Sequence, residues 1–536
     1  MSPLTLLVTA GILLLCILGT RISLRSGVPV LLVFILLGMI IGSNVLLKLD
    51  YSDLPTADAV CTVALVFIMF YGGFGTKWET ARPVAVKAVL LSSLGTVGTC
   101  FLTGLFCHCA LGFPLLKALL MGSVISSTDA ASVFSILRSK RLALKHNTSP
   151  LLELESGSND PFAYMTTMIL LTLMSGTAKV TAVSVLIDIF FQLFFGIMVG
   201  LIFGIFALKV LHYAKLENSL NSIFLVAVSL GAYALSGVIG GNGYLSTYLA
   251  GIITGNAAIK NKKAMVSFFD VFNSIMQMLI FFLLGMVATP GSIVRTFPIA
   301  MSIFLFMTII ARPVVCYLIL RPWRAPVNQI GIIAWAGLRG ASGIVFAIIA
   351  AVTLGDVGTV ILDTTFLIVI ISILCQGTLL PAMARWMRMI EPGGDVMKTF
   401  SDYTESDLVQ FVNIELMHGH PWNGKMIKDA EVPPGMLIAA IERNGHTVLP
   451  KGTTVLHPKD VLTLGLKHND SEPEGKFDEI TITRNHPWQK KALKDINTEN
   501  LLILLVTRDG EDFMPDGNTI LQRGDTLITI SAEKDA

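Results

Sequence analysis

The sequence predicts an all-α polytopic membrane domain followed by a cytosolic α+β region. Three observations carry this reading: a long apolar stretch, a one-sided distribution of basic residues, and a polar, internally repeated tail. Of 536 residues, 53% are hydrophobic and only 14% are charged, and the mean hydropathy is +0.71. A soluble protein of this length needs more surface charge. The apolar character lasts to about Met389 and then stops. The net charge of +2 excludes no partner. All seven cysteines lie in the apolar part, and a cysteine-free tail fits a reducing cytosol. Phe106–Cys109, "FCHC", has no second ligand pair and reads as the end of a helix rather than a metal site.

Apolar runs near ~20 residues suit a hydrocarbon core of ~30 Å. The predicted spans are 4–20, 29–47, 58–74, 85–110, 115–137, 150–175, 181–208, 220–239, 244–257, 267–288, 298–320, 327–352 and 361–384. The first run, Leu4–Thr20, has no basic start and leads into further spans, so no cleavable leader is expected. Thirteen spans put the termini on opposite sides. One side then receives Arg21, Arg25, Lys77, Arg82, Lys87, Arg138, Lys140, Arg141, Lys145, Lys209, Lys215, Lys260, Lys262, Lys263, Arg321, Arg324, Arg385 and Arg388. The other receives only Lys48, Lys117, Lys179 and Arg295. The rich side is cytoplasmic by the positive-inside rule, which places the N-terminus outside and the tail inside. One missed helix would scramble every later loop, so the bias also supports the count.

Charge left inside these spans needs a reason, because a charged side chain at mid-bilayer costs about 2.5–3.5 kcal/mol on insertion scales. Thr128-Asp129, Glu155 with Asn159-Asp160, Arg312 and Arg339 stand out. Asp188 and Asp270 lie nearer span ends, where an interfacial position is the default reading. Asp160 is about ten residues into its span, ~15 Å along a helix and close to the midplane. Thr128, Asp129 and Arg339 lie at similar depth, so three spans bring polar groups to one level.

Two of these spans read as broken. "SSTDAAS" (Ser126–Ser132) puts cap-forming residues inside an apolar helix. "GLRGASG" (Gly337–Gly343) sets three glycines around an arginine. Opened backbone at that depth must line a cavity or face protein. The breaks fall in the fifth and twelfth spans, of opposite orientation, as in an inverted repeat whose half-helices cross at mid-membrane.

Ser127–Leu137 ("STDAASVFSIL"), Leu152–Pro161 ("LELESGSNDP") and Trp335–Ser342 ("WAGLRGAS") resemble the signatures of monovalent cation/proton antiporters of the CPA1 class. The likeness is nearest to bacterial potassium/proton antiporters of the NhaP2 type, and it covers about Met1–Glu391. It implies a homodimer in a bacterial cell membrane with an elevator-like core. It implies that Asp160 binds cation and proton in turn, with Thr128, Ser156 and Asn159 completing the site. It also implies that Asp129 compensates positive half-helix ends and that Glu155 pairs with Arg339. Sodium-selective relatives often carry acids in the third and tenth helices, where this chain has Tyr71 and Gln277. That departure favours K+ over Na+, with Na+/H+ exchange as the alternative.

The residues fit this chemistry. On a helix Ser156 and Asp160 share a face, while Glu155 points elsewhere and needs a cation such as Arg339. Desolvation disfavours the charged form of a buried carboxylate, so protons and cations compete for Asp160. One titrating acid exchanges one cation for one proton, so transport should be electroneutral. Arg312 remains a secondary candidate beside Tyr71 and Gln277. A channel would need a TVGYG-like filter, and none is present. No nucleophile–base or metal set points to an enzyme.

The expected domains are 1–390 for transport, 391–470, and 471–536, with "EPGGD" (Glu391–Asp395) as linker. The tail is a repeat. His420–Asp429 matches His486–Asp495 at an offset of 66, and Glu442–Gly465 matches Thr507–Ile530 at an offset of 65. Alternating apolar stretches with Asn-Gly and Asp-Gly predict hairpins around short helices. The first copy resembles the RCK C-terminal (TrkA-C) module and the second a diverged copy of it. The resemblance implies regulation, either by a nucleotide such as cyclic di-AMP, ATP or ADP or through dimerisation. No GxGxxG segment precedes the repeats, so no dinucleotide site or other cofactor is expected.

Overall fold

The computed structural model describes residues 3–26, 29–42, 54–140, 142–176, 181–213, 218–257, 259, 262–287 and 290–391. In the tail it describes 409–417, 419–430, 432–433, 436–443, 446–448, 450–467, 476–482, 486–496, 501–508, 511–513 and 515–531. The end of the second expected span (43–47), Lys48, Arg141, Lys179, Lys215, Lys260 and linker residues 392–395 lie outside them. The chain forms two compact units, Met1–Glu405 and Ser406–Ala536.

The first unit is helical, because in lipid only intra-segment hydrogen bonds can satisfy a spanning backbone. Its elements are α1 (Pro3–Ser26), α2 (Val30–Gly42), α3 (Leu54–Gly75), α4 (Trp78–Cys109), α5 (Leu115–Val124), α6 (Ala130–Ser139), α7 (Thr148–Ser175) and α8 (Ala182–Tyr213). They continue with α9 (Asn218–Val238), α10 (Gly243–Gly255), α11 (Lys262–Val287) and α12 (Pro290–Phe306, extended by a π turn at Met307–Ala311 and by Arg312–Leu320). The last are α13 (Val327–Trp335), α14 (Ala341–Leu354) and α15 (Asp356–Trp386). Seven of these helices are long and apolar enough to cross a membrane among the described residues. α7 is as long but does not join them, since it carries Glu153, Glu155, Asn159 and Asp160.

Helices approach closely where a side chain would not fit. A Cβ on Gly38 of α2 would lie 2.1 Å from the Phe282 carbonyl oxygen, and one on Gly285 of α11 would lie 2.1 Å from that of Ile35.

The apolar interior is divided, and the division positions the polar groups. Leu120, Met121 and Val124 of α5, Ala163, Leu170 and Leu171 of α7, and Ile344–Ile348 of α14 belong to one cluster. Val133 and Leu137 of α6, Leu151, Leu152 and Leu154 of α7, and Ile332 and Ile333 of α13 belong to another. Each of the three chain segments passes from one cluster to the other. α7 does so at Glu155–Asp160, and the other two do so where the helix breaks.

The second unit holds two four-stranded antiparallel sheets of the same topology. β1 (Val409–Glu415), β2 (Met436–Arg443), β3 (His446–Val448) and β4 (Val461–Lys467) run in the order β1-β4-β2-β3. β5 (Lys476–Thr481), β6 (Leu501–Arg508), β7 (Glu511–Phe513) and β8 (Thr526–Ser531) run as β5-β8-β6-β7. Arg443 pairs with His446 and Arg508 with Glu511, leaving two residues between each pair as the Asn-Gly and Asp-Gly dipeptides predict. The repeat extends to detail. The register shifts at Ile438/Ala440 and at Ile503/Leu505. Short 3-10 turns occupy Ile427–Asp429 and Leu493–Asp495. Asp460, buried, takes a two-pronged bond from Arg443 at 2.7 Å, and Asp525 takes the same from Arg508 at 2.7–2.8 Å.

Candidate functional site

The chain between α5 and α6 leaves the helix at Ser127–Asp129, and the chain between α13 and α14 opens at Ala336–Gly340. The two openings bond to each other. The Asp129 N–H donates to the Leu338 carbonyl at 2.8 Å. Arg339 Nη1 donates to the carbonyls of Ser126 and Ser127, both at 2.8 Å. Orphaned groups of one broken helix are thus satisfied by the other. Only glycine fits at the crossing, because a Cβ on Gly340 would lie 2.4 Å from Asp129 Cβ. Asp129 caps α6, accepting from the Ser132 hydroxyl at 2.5 Å and its N–H at 3.3 Å.

α7 brings its polar face to this crossing. Asp160 accepts a hydrogen bond from the Ser127 hydroxyl, and that hydroxyl lies 2.6 Å from Ser342 Oγ at the first turn of α14. Asn159 Nδ2 donates to Thr128 Oγ1 at 2.6 Å. The Ser156 hydroxyl donates to the Thr128 carbonyl at 2.7 Å and accepts the Ala130 N–H at 2.8 Å. Asp160 is 5% exposed and Asn159 fully buried. Asn159 Oδ1 has no hydrogen-bond donor among the described residues. Pro161 follows inside the helix and cannot donate back to the Gly157 carbonyl, one turn before Asp160.

Four of the expected residues, Thr128, Ser156, Asn159 and Asp160, therefore meet at one place with Asp129 and Arg339 beside them. The expected pair Glu155–Arg339 does not form. Glu155 Oε1 instead meets Arg312 Nη2 at 2.6 Å, both side chains 1% exposed. The reason is that Arg339 is spent on the carbonyls of the broken helix. Arg312, at the start of the last segment of α12, approaches α7 from another side. Ser127 and Ser342, which bridge Asp160 to both breaks, were legible only as members of the "SSTDAAS" and "GLRGASG" motifs.

A cavity of about 450 Å³ opens onto Asp160. Tyr71 and Gln277 line it, as do Asp129, Glu153, Ser156 and Asp270, and among the described residues no lysine or arginine does. Asp270 is exposed and lines this cavity, and Asp188 is exposed on α8. Among the described residues no cluster of His, Cys, Asp and Glu could hold a metal ion.

Residues 10–386 match the family profile described as sodium/hydrogen exchanger, transmembrane. The chain belongs to the sodium/hydrogen exchanger family. Residues 411–470 and 479–535 match the TrkA-C domain, one match for each sheet. This exchanger is 32% identical over 472 residues to the K+/H+ antiporter NhaP of Alkalimonas amylolytica, covering 87% of this chain and 82% of that one. It is 30% identical over 451 residues to the K+/H+ antiporter NhaP2 of Shewanella oneidensis, covering 83% and 78%. It is 24% identical over 335 residues to the Na+/H+ antiporter ApNhaP of Aphanothece halophytica, covering 60% and 63%. The fold resembles that of the sodium proton antiporter MjNhaP1 from Methanocaldococcus jannaschii at pH 8. That match has a TM-score of 0.63 and 20% identity, and it covers 72% of this chain and 99% of that one.

Proposed function

We propose that this exchanger carries K+ in one direction and H+ in the other through Asp160, which binds them in turn. The observation that carries this reading is the buried Asp160–Asn159 pair set between two broken helices, with one amide oxygen lacking a donor. A desolvated carboxylate beside a free acceptor oxygen suits either a proton or a dehydrated monovalent cation. Arg339, bonded to backbone carbonyls, does not neutralise Asp160 by direct contact. Asn159, Thr128, Ser127 and Ser342 orient the carboxylate. Ser156 holds the Thr128 carbonyl in place, and Asp129 balances the two helix N-termini that meet it. Tyr71 and Gln277, where an acid would favour Na+, support K+, as do the names of the relatives that cover most of the chain.

In this account thirteen spans form an inverted repeat and cross the membrane of a bacterial cell as a homodimer. The N-terminus is outside, and domains 391–470 and 471–536 are cytoplasmic. The cavity residues on α6 and α7 then lie toward the cytosol from Asp160, so the structure is inward-facing. One carboxylate gives electroneutral exchange. The tail regulates transport, because every proposed site residue precedes it. Cation-induced proton flux in everted vesicles tests the ion assignment. K+ should drive flux at lower concentration than Na+, and the reverse order would make the protein a Na+/H+ exchanger. Cutting the chain after Gly394 should leave exchange intact but change its dependence on pH, cyclic di-AMP, ATP or ADP. Identical responses from both lengths would remove the regulatory reading.

A further inference from the structure

The cavity holds a second set of oxygens that exchange at Asp160 does not use. On α11, Asp270, Asn273, Ser274 and Gln277 recur at intervals of three and four and so share one helix face over about 10 Å. All four line the same cavity as Asp160. Tyr71 of α3 stands opposite, its hydroxyl donating to Asp270 Oδ1 at 2.6 Å.

Asn273 adds an independent observation. It is 9% exposed, and its buried Oδ1 has no hydrogen-bond donor among the described residues. A buried acceptor without a protein donor is costly unless a water or a cation in the cavity meets it. Among the described residues no basic side chain lines the cavity to do so. One helical turn away, Asp270 supplies a negative charge. A carboxylate and the amide oxygens of Asn273 and Gln277 make a ligand set for a partly hydrated monovalent cation.

We propose that Asp270, held by the Tyr71 hydroxyl, forms with Asn273 and Gln277 a second monovalent-cation subsite that receives the ion on its way to Asp160. This rests on the antiport reading given above. Its role is capture: the site raises the local cation concentration and takes no part in proton exchange. Loss of the subsite therefore changes the cation concentration needed for transport, not the maximal rate.

The test uses purified full-length protein in proteoliposomes, with the initial rate of proton flux measured against K+ concentration. Asp270→Asn should raise the apparent KM for K+ about fivefold, the scale of losing one unit charge at ion-contact distance in a watery site. kcat should stay within about twofold, and Asp270→Glu should restore most of the affinity. Asn273→Leu should raise KM in the same direction. Unchanged KM in both variants would overturn the proposal. So would a fall in kcat without a shift in KM, which would make Tyr71–Asp270 a strut between α3 and α11. A second readout is radioactive rubidium binding to Asp160→Asn protein. Residual binding should disappear when Asp270→Asn is added, and residual binding that survives the second substitution would also overturn the subsite. Absence of cation-dependent proton flux in the unaltered protein would instead count against the antiport reading, and rubidium binding would still decide the subsite.

Discussion

Replacing Arg312 by alanine removes one partner of an ion pair that has no access to water. The Nη2–Oε1 distance to Glu155 is 2.6 Å and each side chain is 1% exposed. At an effective dielectric constant near 20, the gross attraction at that distance is ~6 kcal/mol. Most of it offsets the desolvation of the two charges, so the pair adds little net stability. Breaking it is different, because Glu155 is then buried without its partner, at a cost of about 3–5 kcal/mol. With an unfolding entropy of ~2.1 cal/mol/K per residue over a helical unit of 405 residues, that corresponds to a fall of roughly 4–6 °C in Tm. Thermal unfolding of the protein in detergent, followed by intrinsic fluorescence, measures it. Arg312→Met with Glu155→Gln removes both charges at similar volume and should recover most of the loss. Arg339→Ala should not be rescued by Glu155→Gln, because Arg339 serves the Ser126 and Ser127 carbonyls. Rescue of Arg339→Ala, together with an unaltered Tm for Arg312→Ala, would refute the assignment.

Gly340→Ala should destabilise the fold by about 1–3 kcal/mol, the range for overpacking, and cut exchange at least tenfold, because its Cβ meets Asp129 at 2.4 Å; proton flux at the original rate would contradict the tight crossing. In the tail, burial pushes the Asp460 carboxyl up, but the bonds from Arg443 and the His457 N–H outweigh it and hold it below the ordinary carboxylate range. At Asp525 the Arg508 bonds dominate in the same direction, against burial and with help from the Gln522 N–H. Such carboxyls bind protons more readily when unfolded, so tail stability should be complete at neutral pH and fall as pH drops below about 4. Arg443→Ala should cost about 2–3 kcal/mol at pH 7 and flatten that acid limb, as urea unfolding of residues 406–536 across pH would show.

Much of the site was legible because lipid makes polar residues conspicuous. Asp160, Asn159 and Thr128 stood out as polar groups at one depth, and they meet in the structure. Both helix breaks were legible from cap-forming residues and clustered glycines placed where an apolar helix should continue. The partner of Glu155 was not. Sequence spacing shows which way Glu155 points along its own helix, but not which of two buried arginines, Arg312 or Arg339, comes round to meet it. Ser127 and Ser342 were hidden for a related reason, since small hydroxyls are common in membrane helices and only the crossing makes these two neighbours of Asp160. Asp270 was legible only as a charge near a span end, because position along α11 does not show that its face lines the cavity. The tail repeat was read directly, because strand pairing follows alternation and two-residue turns.

Cation-driven proton flux in proteoliposomes holding Asp160→Asn protein tests the central claim most directly. The amide can neither release a proton nor neutralise an ion, so the account predicts a folded protein with no K+-dependent proton movement at any pH. The unaltered protein should exchange without creating a membrane potential. Robust flux through the Asp160→Asn protein would contradict the claim that cation and proton share this carboxylate.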